Sequence, residues 1–189
     1  MTIHKEIING LEVKTGDLIC TTDGGETFMA GQIWRLIGKL IPGDVDHIAI
    51  YVGPNGRCVE AGAKLKVVAF DVPNGNWNAD IMAEQRGHLM DTIYGVAYPL
   101  AGRNFTPEKE AQVREKVAAY CLAQIGKPYN INFLDSATEK AFYCSHLAYK
   151  AYLQHDIDLN SGREIPDIPG TASIIFPQEV WAGCQNQSV

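Results

Sequence analysis

The chain has 189 residues, 46% of them hydrophobic and 20% charged, which is ordinary for a globular protein with a sizeable core. Its formal net charge is −6, and there is no basic stripe, so nucleic acid is not expected as a partner. No apolar stretch of about 18 residues or more is present to span a bilayer.

The five cysteines form no CxxC pair and no close cluster with histidine, which predicts free thiols in a reducing compartment and no zinc site. The N-terminus lacks a basic segment followed by an apolar core, so no signal peptide is visible. These features together favour a cytoplasmic protein.

The first elements along the chain are a short strand, a Gly-Asp turn and the start of a second strand within residues 11–19. Residues 26–40 then carry a broad apolar stripe at helical spacing, with Arg35 and Lys39 on the other side. This pattern predicts an amphipathic helix. Such a helix packs on the core in most proteins, and in others it contacts a membrane or an acyl substrate.

The clearest strand pattern of the chain begins at His47. Residues 47–53 predict a strand, 54–56 a turn and 57–61 the returning strand, and further strands are predicted at 67–72 and 92–98.

Two helices are predicted in the second half of the chain. Thr106 and Pro107 begin the first, which ends at Gly126. The second begins near Cys144 and ends near His155, and a short helix follows around residues 178–181. The elements predict one α+β domain over residues 1–189, with an antiparallel sheet packed against helices.

Cys144 lies where the second helix is predicted to begin. The unpaired N–H groups and the positive end of the dipole favour a thiolate in the first turn of a helix. A thiolate is the form in which cysteine acts as a nucleophile. The alternative is a buried core cysteine, since free cysteines are among the most buried residue types.

A cysteine nucleophile needs a base within hydrogen-bond reach, and His47 is the best candidate among the five histidines. It begins the clearest strand, where sheet geometry holds the side chain. His146 lies two residues after Cys144, so on a helix it points roughly 200° away from the thiol. His88 lies in a polar segment that is predicted to be at the surface.

Glu60 is the candidate for a third polar group that orients the histidine. If the turn pairs Gly53 with Gly56, Glu60 lies opposite Ala49, on the same face of the sheet as His47 and diagonal to it. Diagonal neighbours are roughly 7–8 Å apart at the backbone, within reach of a glutamate and an imidazole. A slip of one residue in the register would place Glu60 on the other face.

These residues resemble the NlpC-type papain-like cysteine peptidases, over roughly residues 11–155. Usual members have the cysteine half first, whereas this chain has the histidine half first. It is therefore similar to the circularly permuted branch, which includes the YiiX-like proteins and the relatives of lecithin retinol acyltransferase. The histidine half is carried by Gly16-Asp17-Leu18-Ile19, by the strand that begins at His47 and by Val59-Glu60-Ala61, and the cysteine half by Gly126-Lys127-Pro128-Tyr129 and Cys144-Ser145.

The resemblance implies a papain-like fold with the nucleophile at a helix N-terminus. It implies that Cys144 is the nucleophile, His47 the general base and acid, and Glu60 the orienting residue, with no cofactor. Tyr129 matches a tyrosine that lies beside the nucleophile and helps to shape the oxyanion site. The chain also departs from the peptidase pattern, because Tyr143 and His146 stand where those enzymes usually have Asp and Gly.

Three functions are compatible with these residues. The first is hydrolysis of an amide bond, in a peptide or cell-wall type substrate, through a thioester on Cys144. The second is a lipid-acyl thioesterase or transacylase, for which residues 28–40, 174–176 and 180–181 would line an acyl groove. The third is a binding module with an unreactive thiol. The expected partner is accordingly a small peptide, amino-acyl or lipid-acyl substrate, with membrane contact as a further possibility.

Overall fold

The computed structural model describes residues 2–22, 43–160 and 173–189 of the chain. The helix predicted over residues 26–40 lies outside these residues. Within them, no helix is both long and apolar enough to cross a membrane.

The central element is a six-stranded sheet in which every neighbouring pair is antiparallel. Its strand order is β6-β5-β4-β3-β7-β8. The strands are β3 (Leu18–Thr22), β4 (His47–Tyr51), β5 (Arg57–Ala61), β6 (Val67–Asp71), β7 (Thr92–Tyr98) and β8 (Gln185–Ser188).

A separate two-stranded hairpin precedes this sheet, formed by β1 (Lys5–Ile8) and β2 (Leu11–Lys14). The positive φ angles of Asn9 and Gly10 fit the tight turn between its strands. The hairpin shows that the N-terminal segment is ordered from about residue 4, where the backbone N–H of His4 donates to the Thr15 hydroxyl.

The helices begin and end close to their sequence signals. Thr106 caps α2 by accepting a hydrogen bond from the Lys109 N–H, as predicted. The sequence analysis did not predict α1, which is capped by the Asn78 side chain and ends at Gly87 in the left-handed conformation. The helices are α1 (Ala79–Arg86), α2 (Pro107–Ala123), α3 (Cys144–Leu153) and α4 (Pro177–Ala182).

The sheet buries both of its faces. Along β4, Ile48 and Ile50 belong to a core with α2, α3 and α4, whereas Ala49 and Tyr51 belong to a second core with the β1–β2 hairpin and α1. All five residues of β4 are therefore buried, although successive side chains point to opposite faces. The mixed α+β fold with a large antiparallel sheet is the predicted one and is consistent with a permuted papain-like fold.

Candidate active site

Cys144 is the first residue of α3, and only 1% of it is exposed. The residue before it, Tyr143, is extended and provides no side-chain cap. The N–H groups of the first turn have no partner within the helix, so they surround the thiol with donors at the positive end of the helix dipole. The predicted helix start is thus the observed one.

His47 is the first residue of β4, and it lies between Cys144 and Glu60. Its Nε2 is 2.8 Å from Oε2 of Glu60, and the Cys144 thiol lies near enough to its ring to raise the pKa of the imidazole. Because Nε2 faces Glu60, Nδ1 is the nitrogen available to the thiol. The structure therefore brings together the three residues that were proposed as a triad.

The position of Glu60 follows from the strand register. In the β4–β5 ladder Ile50 lies opposite Val59 and Tyr51 opposite Cys58, which is the register that pairs Ala49 with Glu60. The structure thus has the register on which the sequence argument for Glu60 depended. The backbone is close here as well, because a Cβ atom on Gly62 would lie 3.3 Å from Oε1 of Glu60 and 3.5 Å from Cε1 of His47.

The two buried ionisable groups of this pair stabilise each other's charge. Burial alone would lower the pKa of the His47 imidazole, but the adjacent Cys144 thiol and Glu60 carboxylate outweigh it and raise the pKa well above its usual range. Burial alone would raise the pKa of Glu60, but Arg86 and His47 hold it at about 2. The pair is therefore held as an imidazolium next to a carboxylate.

Two charged residues that were not predicted as site residues lie behind Glu60. Arg86 is fully buried, and its Nε and Nη2 donate to Oε1 and Oε2 of Glu60 at 3.0 and 2.7 Å. The same guanidinium donates to both carboxylate oxygens of Asp91, at 2.7 and 2.9 Å. The sequence carried no signal for this, since the segment around His88 is polar and was predicted to be at the surface. His88 itself is exposed, as predicted.

Tyr129 lies on the segment that leads to the nucleophile. Its backbone forms a bridge with Phe142, two residues before Cys144, and its N–H donates to the carbonyl of Leu65. Its ring packs edge-on against Phe133, which in turn packs against the ring of Tyr143. Tyr129 is thus held close in the fold to the start of α3, and its part in an oxyanion site stays a prediction.

His146 is a packing residue in this structure, although it is the histidine nearest to Cys144 in sequence. Its Nε2 lies 2.9 Å from the carbonyl oxygen of Ser136, and its ring packs against Phe142 and Tyr143. Burial lowers its pKa to about 4, so it is neutral at physiological pH. It anchors the segment before α3.

The other four thiols lie in surroundings that disfavour a thiolate. Burial raises the pKa of Cys20 and Cys58 well above the usual range. It also raises the pKa of Cys121 to about 12 and of Cys184 to about 11. Cys184 is the most accessible of the five thiols, because it is partly exposed and the others are buried.

The arrangement is suited to acyl transfer. It combines a thiol at a helix N-terminus, a histidine in contact with that thiol and a carboxylate that orients the histidine. The N–H groups of the helix start are placed to stabilise a developing oxyanion. Within the described residues, no group of three or more His, Cys, Asp or Glu side chains is placed to hold a metal ion.

Comparison with known proteins agrees with this chemistry. Residues 13–165 match the family model of the permuted papain-like amidase enzymes, YaeF/YiiX, C92 family. No match was found among curated proteins or among solved structures. The matched range covers most of the chain and contains Cys144, His47 and Glu60. The chain therefore belongs to the C92 family of permuted papain-like amidases, and it is an enzyme of the cysteine hydrolase type.

Proposed function

We propose that the protein hydrolyses an amide bond of a small peptide, amino-acyl or cell-wall type substrate through a thioester on Cys144. The observation that carries the proposal is the position of His47, which bonds through Nε2 to the Glu60 carboxylate and lies beside the Cys144 thiol at the start of α3. Membership of an amidase family supports an amide rather than an ester as the bond that is cleaved.

In the first half of the reaction, His47 holds the thiol proton as an imidazolium and the Cys144 sulfur attacks the carbonyl carbon of the amide. The C–N bond then breaks, and the His47 imidazolium gives its proton to the leaving amine. The oxyanion of the tetrahedral intermediate is stabilised by the N–H of Cys144, and Tyr129 is proposed to contribute to that site.

In the second half, His47 takes a proton from a water molecule, which attacks the thioester carbonyl. The C–S bond breaks, the acid product leaves, and the proton returns to the Cys144–His47 pair. Glu60 accepts a hydrogen bond from Nε2 throughout, so that Nδ1 stays directed at the sulfur.

The lipid-acyl alternative loses part of its support in the structure. The tail residues that were expected to line an acyl groove are buried instead, with exposures of 4% for Ile174, 2% for Ile175 and 4% for Phe176. Ile175 is held to the start of α3, since its N–H donates to the Tyr143 hydroxyl and its carbonyl accepts from Ser145. These residues form part of the core that packs on α3.

Trapping of the acyl-enzyme tests the proposal. The protein is incubated with peptide and γ-glutamyl amides, or with long-chain acyl esters, and quenched in acid for intact-mass analysis. We expect turnover of an amide and an acyl adduct that Cys144→Ala abolishes and Cys184→Ala retains. Adducts and turnover with the acyl esters alone would contradict the amide assignment, and an adduct that persists in Cys144→Ala would contradict the nucleophile.

A further inference from the structure

A network of buried, hydrogen-bonded polar groups lies behind the Cys144–His47 pair. It runs from His47 to Glu60, through Arg86 to Asp91, and from Asp91 to the Thr21 hydroxyl, which donates to Oδ2 of Asp91 at 2.7 Å. Thr21 is in turn the cross-strand partner of His47 in the β3–β4 ladder. The network therefore starts and ends on two neighbouring residues of the sheet, His47 and Thr21.

The guanidinium of Arg86 is held in this network by hydrogen bonds at its edges and by aromatic rings against it. It binds Glu60 and Asp91 through two hydrogen bonds each, and its Cζ lies 4.7 Å from the ring centroid of Phe70 and 4.6 Å from that of Trp77. Planar two-point contacts of this kind set the orientation of a carboxylate as well as its distance. The orientation of the Glu60 carboxylate, and with it that of His47, thus depends on Arg86.

Asp91 holds the far side of the guanidinium. Its Oδ1 also accepts from the indole N–H of Trp77 at 3.2 Å, and Thr21 occupies its Oδ2. Only 2% of Asp91 is exposed, so its charge is weakly screened by solvent. The register of β3 against β7 shifts between Cys20 and Thr21, which is a bulge of the kind that redirects a side chain.

The charges of the side chains in this network alternate in sign. From the site inward they are the imidazolium of His47, the carboxylate of Glu60, the guanidinium of Arg86 and the carboxylate of Asp91. Arg86 offsets part of the field that Glu60 exerts on His47, and Asp91 offsets part of the field of Arg86. If Asp91 were neutral, more of the positive field of Arg86 would reach the imidazolium and disfavour it.

We propose that Arg86 and Asp91 are positioning residues of the active site, with Arg86 fixing the Glu60 carboxylate and Asp91 setting the charge balance at His47. The proposal rests on the proposed function for its catalytic meaning. Neither residue touches the reacting atoms: Arg86 acts through Glu60, and Asp91 acts through Arg86 and through its charge.

The test of the charge balance is the pKa of His47, measured by NMR on the full chain with and without Asp91→Asn. Among the residues that the structure describes, the groups that face His47 are Cys144 of α3 and Glu60 of β5, while Thr21 on β3 is uncharged and Asp46 precedes His47 in the sequence. The His47 resonance is identified by its loss in His47→Gln. We expect Asp91→Asn to lower the pKa of His47 by on the order of half a unit, because one buried negative charge has been removed.

A matched control exists in a second buried ion pair. Asp17 is 1% exposed and its Oδ1 accepts from Arg114 at 2.7 Å, but it lies opposite Tyr51, at the end of β4 remote from His47. Asp17→Asn therefore removes the same kind of charge and is expected to leave the pKa of His47 within about 0.2 units. An unchanged pKa in Asp91→Asn, or an equal shift in Asp17→Asn, would overturn the charge role.

Arg86→Lys separates orientation from charge, because lysine keeps the charge and loses the planar fork. We expect the pKa of His47 to stay within about 0.2 units and the alkylation of Cys144 by iodoacetamide to slow roughly tenfold. Unchanged alkylation would overturn the orienting role. Neither measurement needs a substrate. A protein that cleaves no amide but shows the expected changes in the pKa of His47 and in the alkylation rate of Cys144 would contradict only the proposed function. An active enzyme without these changes would contradict only this inference.

Discussion

Replacing His47 with glutamine is expected to lower amide turnover by roughly 10³-fold to 10⁴-fold. Glutamine can still bond to Glu60, but it has no nitrogen that accepts a proton from the Cys144 thiol. The variant therefore loses both the base that forms the thiolate and the acid that protonates the leaving amine. The measurement is kcat/KM between about pH 5 and pH 9, on variants whose circular dichroism matches that of the wild type.

His146→Gln is the sharpest control for this experiment. His146 is the histidine closest to Cys144 in sequence, but its Nε2 bonds to the carbonyl of Ser136 and its ring packs against Phe142. We expect this variant to lose stability and to keep turnover within a few-fold of the wild type. The opposite result, with His146→Gln inactive and His47→Gln active, would contradict the assignment of His47 as the base.

Replacing Glu60 with glutamine is expected to lower the free energy of unfolding at neutral pH by about 3 kcal/mol or more. The variant leaves the buried guanidinium of Arg86 and the His47 imidazole without their carboxylate. In the wild type, the pKa of Glu60 is about 2 in the folded state, compared with 4.5 as its ordinary value. A carboxylate with a depressed pKa contributes stability above its unfolded pKa, and that contribution is lost as the pH falls through the folded value.

The wild type should therefore lose about 3 kcal/mol between roughly pH 5 and pH 2 from this group, and Glu60→Gln should not. In the wild type, His47 adds nothing to this dependence, since it is protonated in both the folded and the unfolded state over that range. Denaturant unfolding at a series of pH values measures the difference. Glu12→Gln, which removes an exposed carboxylate paired with Lys5 and Lys14, is expected to change stability by less than about 0.5 kcal/mol. An acid dependence of Glu60→Gln parallel to that of the wild type would contradict the buried ion pair.

The parts of the site that the sequence predicted all depend on local geometry. His47 and Glu60 are joined by a hairpin of 14 residues, whose turn and two-residue alternation determine which side chains share a face. The start of α3 at Cys144 follows from apolar residues at helical spacing, which the structure buries at Leu147, Ala148 and Ala151. Short-range patterns of this kind are visible in a single sequence.

Arg86 and Asp91 depend on contacts that no local pattern encodes. Arg86 ends a short polar helix, Ala79–Arg86, and a charged residue there is usually solvated. Its burial requires two carboxylates from β5 and from the residue before β7, together with the rings of Phe70 and Trp77. The cluster exists only after the sheet and α1 have packed together.

The edge strand β8 was not predicted, for a different reason. β8 is formed by Gln185–Ser188, which are polar and exposed residues with low strand propensity. The strand forms because the backbone pairs with β7. The helix predicted to end at Gly126 ends instead at Ala123, and Ile125 beyond it is 45% exposed.

Competitive labelling by iodoacetamide near neutral pH, with each site quantified by mass spectrometry, tests the central claim most directly. Accessibility alone predicts that Cys184 reacts first, since it is partly exposed and Cys144 is 1% exposed. Activation by His47 at the start of α3 predicts that Cys144 reacts fastest and that His47→Gln abolishes this preference. A wild-type protein that labels at Cys184 first, or at the accessible thiols equally, would contradict Cys144 as the nucleophile.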